Sequence, residues 1–205
     1  MRHKNWIRSL EISVLCAFVI CAAFSMTAFV RSCEVINESV LRMHVIANSD
    51  SEEDQTLKLK VRDAVLQAGA DIFDGSVTAE EAERKITPRI DELTRVARET
   101  IAAEGFDYEV KVTVTQEYFN TRTYEDQITL PAGMYHAVKV VIGAGEGHNW
   151  WCVMFPPLCL PAAESRAEID AVLSGDEVKV VESSPEYEPR FKILEWFGQL
   201  KEKLS

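Results

Sequence analysis

Positive charge is scarce in this chain. Its 205 residues hold 22 lysines and arginines against 33 aspartates and glutamates, a formal net charge of −11. Nucleic acids and anionic membrane surfaces recruit proteins through basic patches, so the balance argues against both as partners. Metal-binding and nucleophilic side chains are also few, with four histidines and five cysteines. Cys16 and Cys21 fall in an apolar run and His3 precedes it, leaving Cys33, His44, His136, His148, Cys152 and Cys159. No Cys-x-x-Cys or His-x-x-x-His spacing occurs among these. His148 and Cys152 are four apart, but in a segment that reads as extended, where that spacing does not bring side chains together. No metal or cofactor is expected. Gly-x-Ser-x-Gly is missing, and so are internal repeats and low-complexity tracts.

The glycines of "GAGEGHN" do not make a phosphate loop. A dinucleotide fingerprint needs Gly-x-Gly-x-x-Gly opening a helix, so that helix-start amides meet the pyrophosphate. Here the spacing is Gly143-x-Gly145-x-Gly147, no lysine follows, Glu146 repels phosphate, and the next residues read as strand. A glycine-rich hairpin is the expectation.

The N-terminus is the first positive feature. Arg2, Lys4 and Arg8 precede nineteen uncharged residues from Ile12 to Val30. As a helix this run is about 28 Å long, close to the ~30 Å hydrocarbon layer of a bilayer. Basic residues ahead of it keep that end in the cytoplasm and place the remainder outside. Residues 1–32 are therefore a signal peptide or a membrane anchor. Val30-Arg31-Ser32 is a passable cleavage site, and Arg31 spoils the lipoprotein pattern before Cys33. Those 32 residues carry four of the basic groups and one acidic group, so the exported remainder has 18 and 32, a net charge of −14.

An exported domain over 33–188 follows. "ESVLRMHVIAN" alternates as a strand and is broken by Asn48-Ser49-Asp50. Ser51 with Asp54, and Thr78 with Glu81, form capping boxes opening helices. Asp54, Lys58 and Arg62 read as the exposed face of the first, with Asp54–Lys58 an ordinary surface pair. Pro88, with Thr87 as cap, is expected to start another helix, which Gly105 stops. "FDYEVKVTVTQEYF" is a half-buried strand, "NTRTYEDQITLPAG" a connection, and "MYHAVKVVIG" a central strand. "WWCVMF" is expected to pair with that strand across the glycine-rich turn. A helix from Ala162 to Leu173, an edge strand in "EVKVVES", and an amphipathic helix over 189–205 complete the reading. The fold class is α+β, a mainly antiparallel sheet with packed helices behind an N-terminal membrane-targeting helix.

Three readings of the cysteines stay open. Pro156-Pro157 favour a bend that brings Cys152 and Cys159 together as a disulfide, contributing roughly 2.5 kcal/mol. The two are alternatively buried thiols. Or Cys152 is the nucleophile of an envelope hydrolase, with His148 or His136 as base, although an apolar strand hides and weakens a thiol.

"LRMHVIANSDSEEDQTLKLKVRDAVL", "LPAGMYHAVKVVIGAGEGHNWWCVMFPPLC" and "RFKILEWF" together resemble the stage II sporulation protein R family of endospore-forming bacteria. The resemblance implies a non-enzymatic signal, made in the forespore and exported into the space between forespore and mother cell. There it would trigger a membrane-embedded aspartic protease to process pro-sigma-E. No catalytic residue carries over. Partner contacts are expected at His44, Asn48, Ser49, Asp50, His148, Asn149, Trp150 and Trp151.

Overall fold

The computed structural model describes residues 2–73, 78–124, 128–156, 169, 172–182 and 190–196. It is an α+β structure with antiparallel-rich sheets and an N-terminal apolar helix. That helix, α1 (Arg2–Ser39), runs unbroken through the boundary expected at 32–33, and from Leu10 onward it is long and apolar enough to cross a membrane. One residue later β1 (Leu41–Ile46) begins. The helices α2 (Glu52–Gly69), α3 (Ala79–Ile86) and α4 (Ile90–Ala103) follow. Ser51 and Thr78 both cap their helices, accepting from the Asp54 and Glu81 amides, but the Ser51 amide donates to Ser49 Oγ, so the first box is not closed by Asp54. Residues Thr87–Arg89 make a short 3-10 turn, so α4 starts at Ile90 and not at Pro88. Thr87 is no cap: its hydroxyl donates back to the Glu83 carbonyl at 2.7 Å. Gly105, at φ +86°, takes the left-handed conformation that ends α4.

Next come β2 (Val110–Phe119), β3 (Arg122–Tyr124), β4 (Ile128–Leu130), β5 (Gly133–Ile142) and β6 (Asn149–Phe155). The expected connection between β2 and β5 thus contains a small β3–β4 hairpin. The main sheet has the order β2-β5-β1-β6, with β1 parallel to β5 and antiparallel to β6. This corrects the expected β5–β6 hairpin. A strand from far earlier in the chain lies between the two, and the glycine-rich segment crosses over its end. "EVKVVES" is not an edge strand either, for residues Gly175–Val181 form a helix, α5. Packing overrides the β-branched preference, because helical geometry buries Val180 and Val181 beside α1, while Asp176 and Glu177 suit a helix start. Most of the expected 162–173 helix lies outside the described residues. Residues 190–196 of the expected C-terminal helix are helical.

Strand alternation divides the core between the two faces of β1. Leu41, Met43 and Val45 meet Leu57, Val61 and Val65 of α2 and Leu93, Ala97 and Ile101 of α4. The opposite face is covered at one end by Phe29, Cys33 and Ile36 of α1, with Phe119, Tyr135, Val153, Val181 and Phe191. Arg42 and His44 project from β1 on this second side. A central strand is buried on both faces, which is why two polar residues in alternation are buried here.

Candidate functional site

The two polar concentrations of the sequence meet in space. Because β1 threads between β5 and β6, the 143–148 loop must pass over the chain leaving β1. The backbones bond directly, Gly147 N–H to the Ala47 carbonyl at 3.0 Å and Glu146 N–H to the Asn48 carbonyl at 3.2 Å. Side chains complete the junction. Asn48 Oδ1 accepts from the Ala144 amide at 2.9 Å, and Asp50 Oδ1 accepts from the His148 amide at 2.6 Å and from its ring. The approach is close enough to require glycine. A Cβ on Gly147 would lie 2.1 Å from the Ser49 carbonyl oxygen, whereas one on Gly175 meets nothing within 4 Å. Gly147→Ala is expected to cost about 2 kcal/mol by overpacking. Gly175→Ala should change stability by no more than about 0.5 kcal/mol. Thermal melts of the detergent-solubilised chain compare the two.

Beneath the junction lies a buried carboxylate. Asp54 Oδ2 accepts from Asn48 Nδ2 at 2.8 Å and from Ser49 Oγ at 2.6 Å, and the side chain is 3% exposed. Burial alone would raise its pKa, but hydrogen bonds from Ser49, Asn48 and Tyr108 outweigh it and hold the carboxyl below its ordinary range. Lys58, also buried, donates to Gln55 Oε1 and to the His148 carbonyl at 3.0 Å. Burial lowers the pKa of its ammonium. Asp54 and Lys58 are therefore not the exposed ion pair that their spacing suggested. Each ties α2 to the loops above it.

His44 anchors a second group on the other side of the sheet. Nδ1 donates to Glu117 Oε1 at 3.0 Å, and Nε2 is held by the Asn149 side chain at 2.8 Å. The imidazole stacks on Trp151, ring centroids 3.6 Å apart, and Phe119 meets the indole edge-on at 4.8 Å. Lys139 bonds the other oxygen of Glu117, and the Arg122 guanidinium lies 5.7 Å from the Trp151 ring. With both ring nitrogens hydrogen-bonded and one face stacked on Trp151, His44 fixes the orientation of an aromatic platform. Alternation sends Trp150 to the opposite face, where the Arg62 guanidinium sits 4.3 Å from its ring. The edge strand β6 thus presents one tryptophan on each side.

All eight expected contact residues therefore fall around one end of β1 and β6. Asn48, Ser49 and Asp50 hold the loops in place, while His148, Asn149 and Trp150 reach the surface. Asn48 bridges Ala144 and Asp54, so its side chain serves the fold as well as the surface. Sequence reasoning missed Glu117, Lys139 and the buried role of Arg42, which is wholly enclosed by Phe119, Tyr124 and Tyr135. For Arg42 and Lys139 the only signal was a polar residue alternating with apolar ones in a strand destined for the centre, and Glu117, on the edge strand β2, gave none.

Cys152 points to the helix-covered side, 3% exposed near Met43 and Met154. His148 is on the exposed loop with Asp50, and His136 pairs with Glu83 at 2.5 Å and with Gln116. Both histidines expected as bases are thus engaged with carboxylates elsewhere. The Cys152–Cys159 pairing involves a residue outside the described set. Among the described residues no three His, Cys, Asp or Glu side chains converge as a metal site.

Comparison with known proteins gives two matches. The profile of the stage II sporulation protein R family matches residues 37–165, which include the junction, the His44 group and β6. Stage II sporulation protein R of Bacillus subtilis (strain 168) is 39% identical over 125 residues. That match takes in 61% of this chain and 55% of the relative, so little over half of the relative's length is represented. No solved structure matches.

Proposed function

The chain belongs to the stage II sporulation protein R family, and from that premise we propose that it is an exported signal that activates the membrane-embedded protease processing pro-sigma-E. One observation carries the reading. Within residues 37–165, the stretch matched by the family profile, the junction and the His44 group are tied by hydrogen bonds and ring contacts into one surface feature, while the described thiol there, Cys152, is buried. That is the design of a surface to be recognised. A chain continuous with an apolar helix of membrane-spanning length also suits a partner that itself lies in a membrane.

In this role the domain works by binding the active state of the protease better than the inactive one. Every tenfold shift in that balance takes about 1.4 kcal/mol of differential binding. Tryptophans on an edge strand are suited to supply it, because aromatic anchors dominate hot spots. Trp150, 36% exposed, is the first candidate.

The test is co-expression of the full chain with the protease and its pro-protein substrate in a host that does not sporulate. Cleavage of the substrate is expected only when all three are present. Trp150→Ala should lower cleavage at least tenfold while the chain keeps its thermal midpoint within a few degrees. No cleavage in the presence of a folded, membrane-associated chain overturns the proposal.

A further inference from the structure

The apolar N-terminal helix does not end where a leader would be removed. From Leu10 to Phe29 is about 30 Å of helix, the thickness of the hydrocarbon layer. Beyond it the same helix enters the domain without a linker. Phe29 is 3% exposed, Cys33 2% and Ile36 0%, all within the second core. Cutting at 32–33 would remove Phe29 and leave the faces of Cys33 and Ile36 without one wall of their packing.

What covers Phe29 identifies the surface beside it. The Phe191 ring meets it edge-on at 5.4 Å, and the Arg190 guanidinium lies 5.8 Å from it. Residues 190–196 therefore sit at the level where α1 leaves the hydrocarbon. Phe191 and Leu194, three apart, face the domain, and Glu195 accepts from the Thr121 amide at 3.1 Å. At 100° per residue Ile193 and Trp196 share the opposite side, and they are 45% and 63% exposed. Arg190 and Lys192 flank that pair. Apolar side chains with a tryptophan, bordered by basic residues, are the composition that settles in the headgroup layer.

We propose that α1 is retained after export as a permanent anchor, and that the rim formed by its end and residues 190–196 rests on the outer lipid headgroup layer, with Ile193 and Trp196 inserted. The acidic domain is not drawn there by overall charge. The anchor delivers the rim to the lipid, and the local Arg31, Arg190 and Lys192 meet phosphates. This holds whether or not the protease is the partner.

Two measurements test it on the full chain. Membranes from producing bacteria should retain a protein of 23.1 kDa that resists carbonate extraction. A shorter chain starting near Cys33 and released to the soluble fraction overturns retention. The chain is then reconstituted in phosphatidylcholine vesicles carrying lipid brominated near the headgroup, beside a Trp196→Phe variant with an unchanged circular dichroism spectrum. The native chain should lose more absolute tryptophan emission to the brominated lipid than the variant does. Equal losses rule out lipid contact at Trp196, including the case where a protein occupies that face instead.

Discussion

Replacing Asp54 with alanine is expected to destabilise the protein by about 3 kcal/mol. The carboxylate accepts from Asn48 and Ser49 and interacts with Tyr108. These donors are half-buried, so each one left without an acceptor costs about 1 kcal/mol, the lower end of the range for buried groups. The loss also propagates, because Asn48 uses its other side-chain atom to hold the Ala144 amide. Acid should act in the same way. The folded-state pKa of Asp54 is lowered, so its contribution is full above the unfolded-state value, near 3.9. That contribution is lost as pH falls from there through the folded value. Asp54→Asn should flatten the fall of the thermal midpoint below about pH 4. A variant that melts with the native acid dependence would show that other carboxylates control it.

Arg42 should separate charge from volume. Its guanidinium is fully buried, 4.3 Å from the Phe119 ring centroid and 4.9 Å from that of Tyr135, and it donates to the Tyr124 hydroxyl. Its Nε and Nη1 have no hydrogen-bond partner among the described residues. Tyr135 is no counter-ion. Burial drives its pKa far above the ordinary range, and its hydroxyl donates to the Pro131 carbonyl at 2.7 Å. Burying a guanidinium costs several kcal/mol, while a desolvated cation over an aromatic face recovers about 2 kcal/mol and a charged hydrogen bond a similar amount. These nearly cancel. Arg42→Met, which keeps most of the volume, is therefore expected to change stability by no more than about 1 kcal/mol. Arg42→Ala empties the cage and should cost about 3 kcal/mol. Equal damage from both, in melts of the solubilised chain, would mean that the charge itself holds the cage.

Local signals in the chain were readable where local physics decides. The helix caps Ser51 and Thr78, the stop at Gly105, the alternation of β2 and the burial of β5 follow from neighbours a few residues apart. The order of the strands does not. A hairpin is the natural reading of two apolar runs around glycines, and nothing in their periodicity reports that β1, far upstream, will separate them. The same nonlocal event hides Asp54 and Lys58, which look like a solvated i,i+4 pair until the 143–148 loop descends on them. It also reverses the meaning of the glycines. Their spacing argued only against a phosphate loop, whereas what demands Gly147 is another stretch of backbone, as the 2.1 Å approach of its Cβ to the Ser49 carbonyl oxygen shows. The expected contact residues were therefore found together, yet half of them serve as fasteners for the other half.

The position of β1 also has a mechanical side. It follows the apolar N-terminal helix after a single residue and is laddered on both flanks, to His136–Val141 on one and to Asn149–Phe155 on the other. Any pull transmitted through α1, such as from two membranes moving apart, loads this strand along its axis. Both ladders are then strained in shear, so many bonds must yield together and none can be unzipped singly. The domain would hold its shape under tension until β1 slid as a unit, and the force would be felt first at the junction where Asn48 and Gly147 meet.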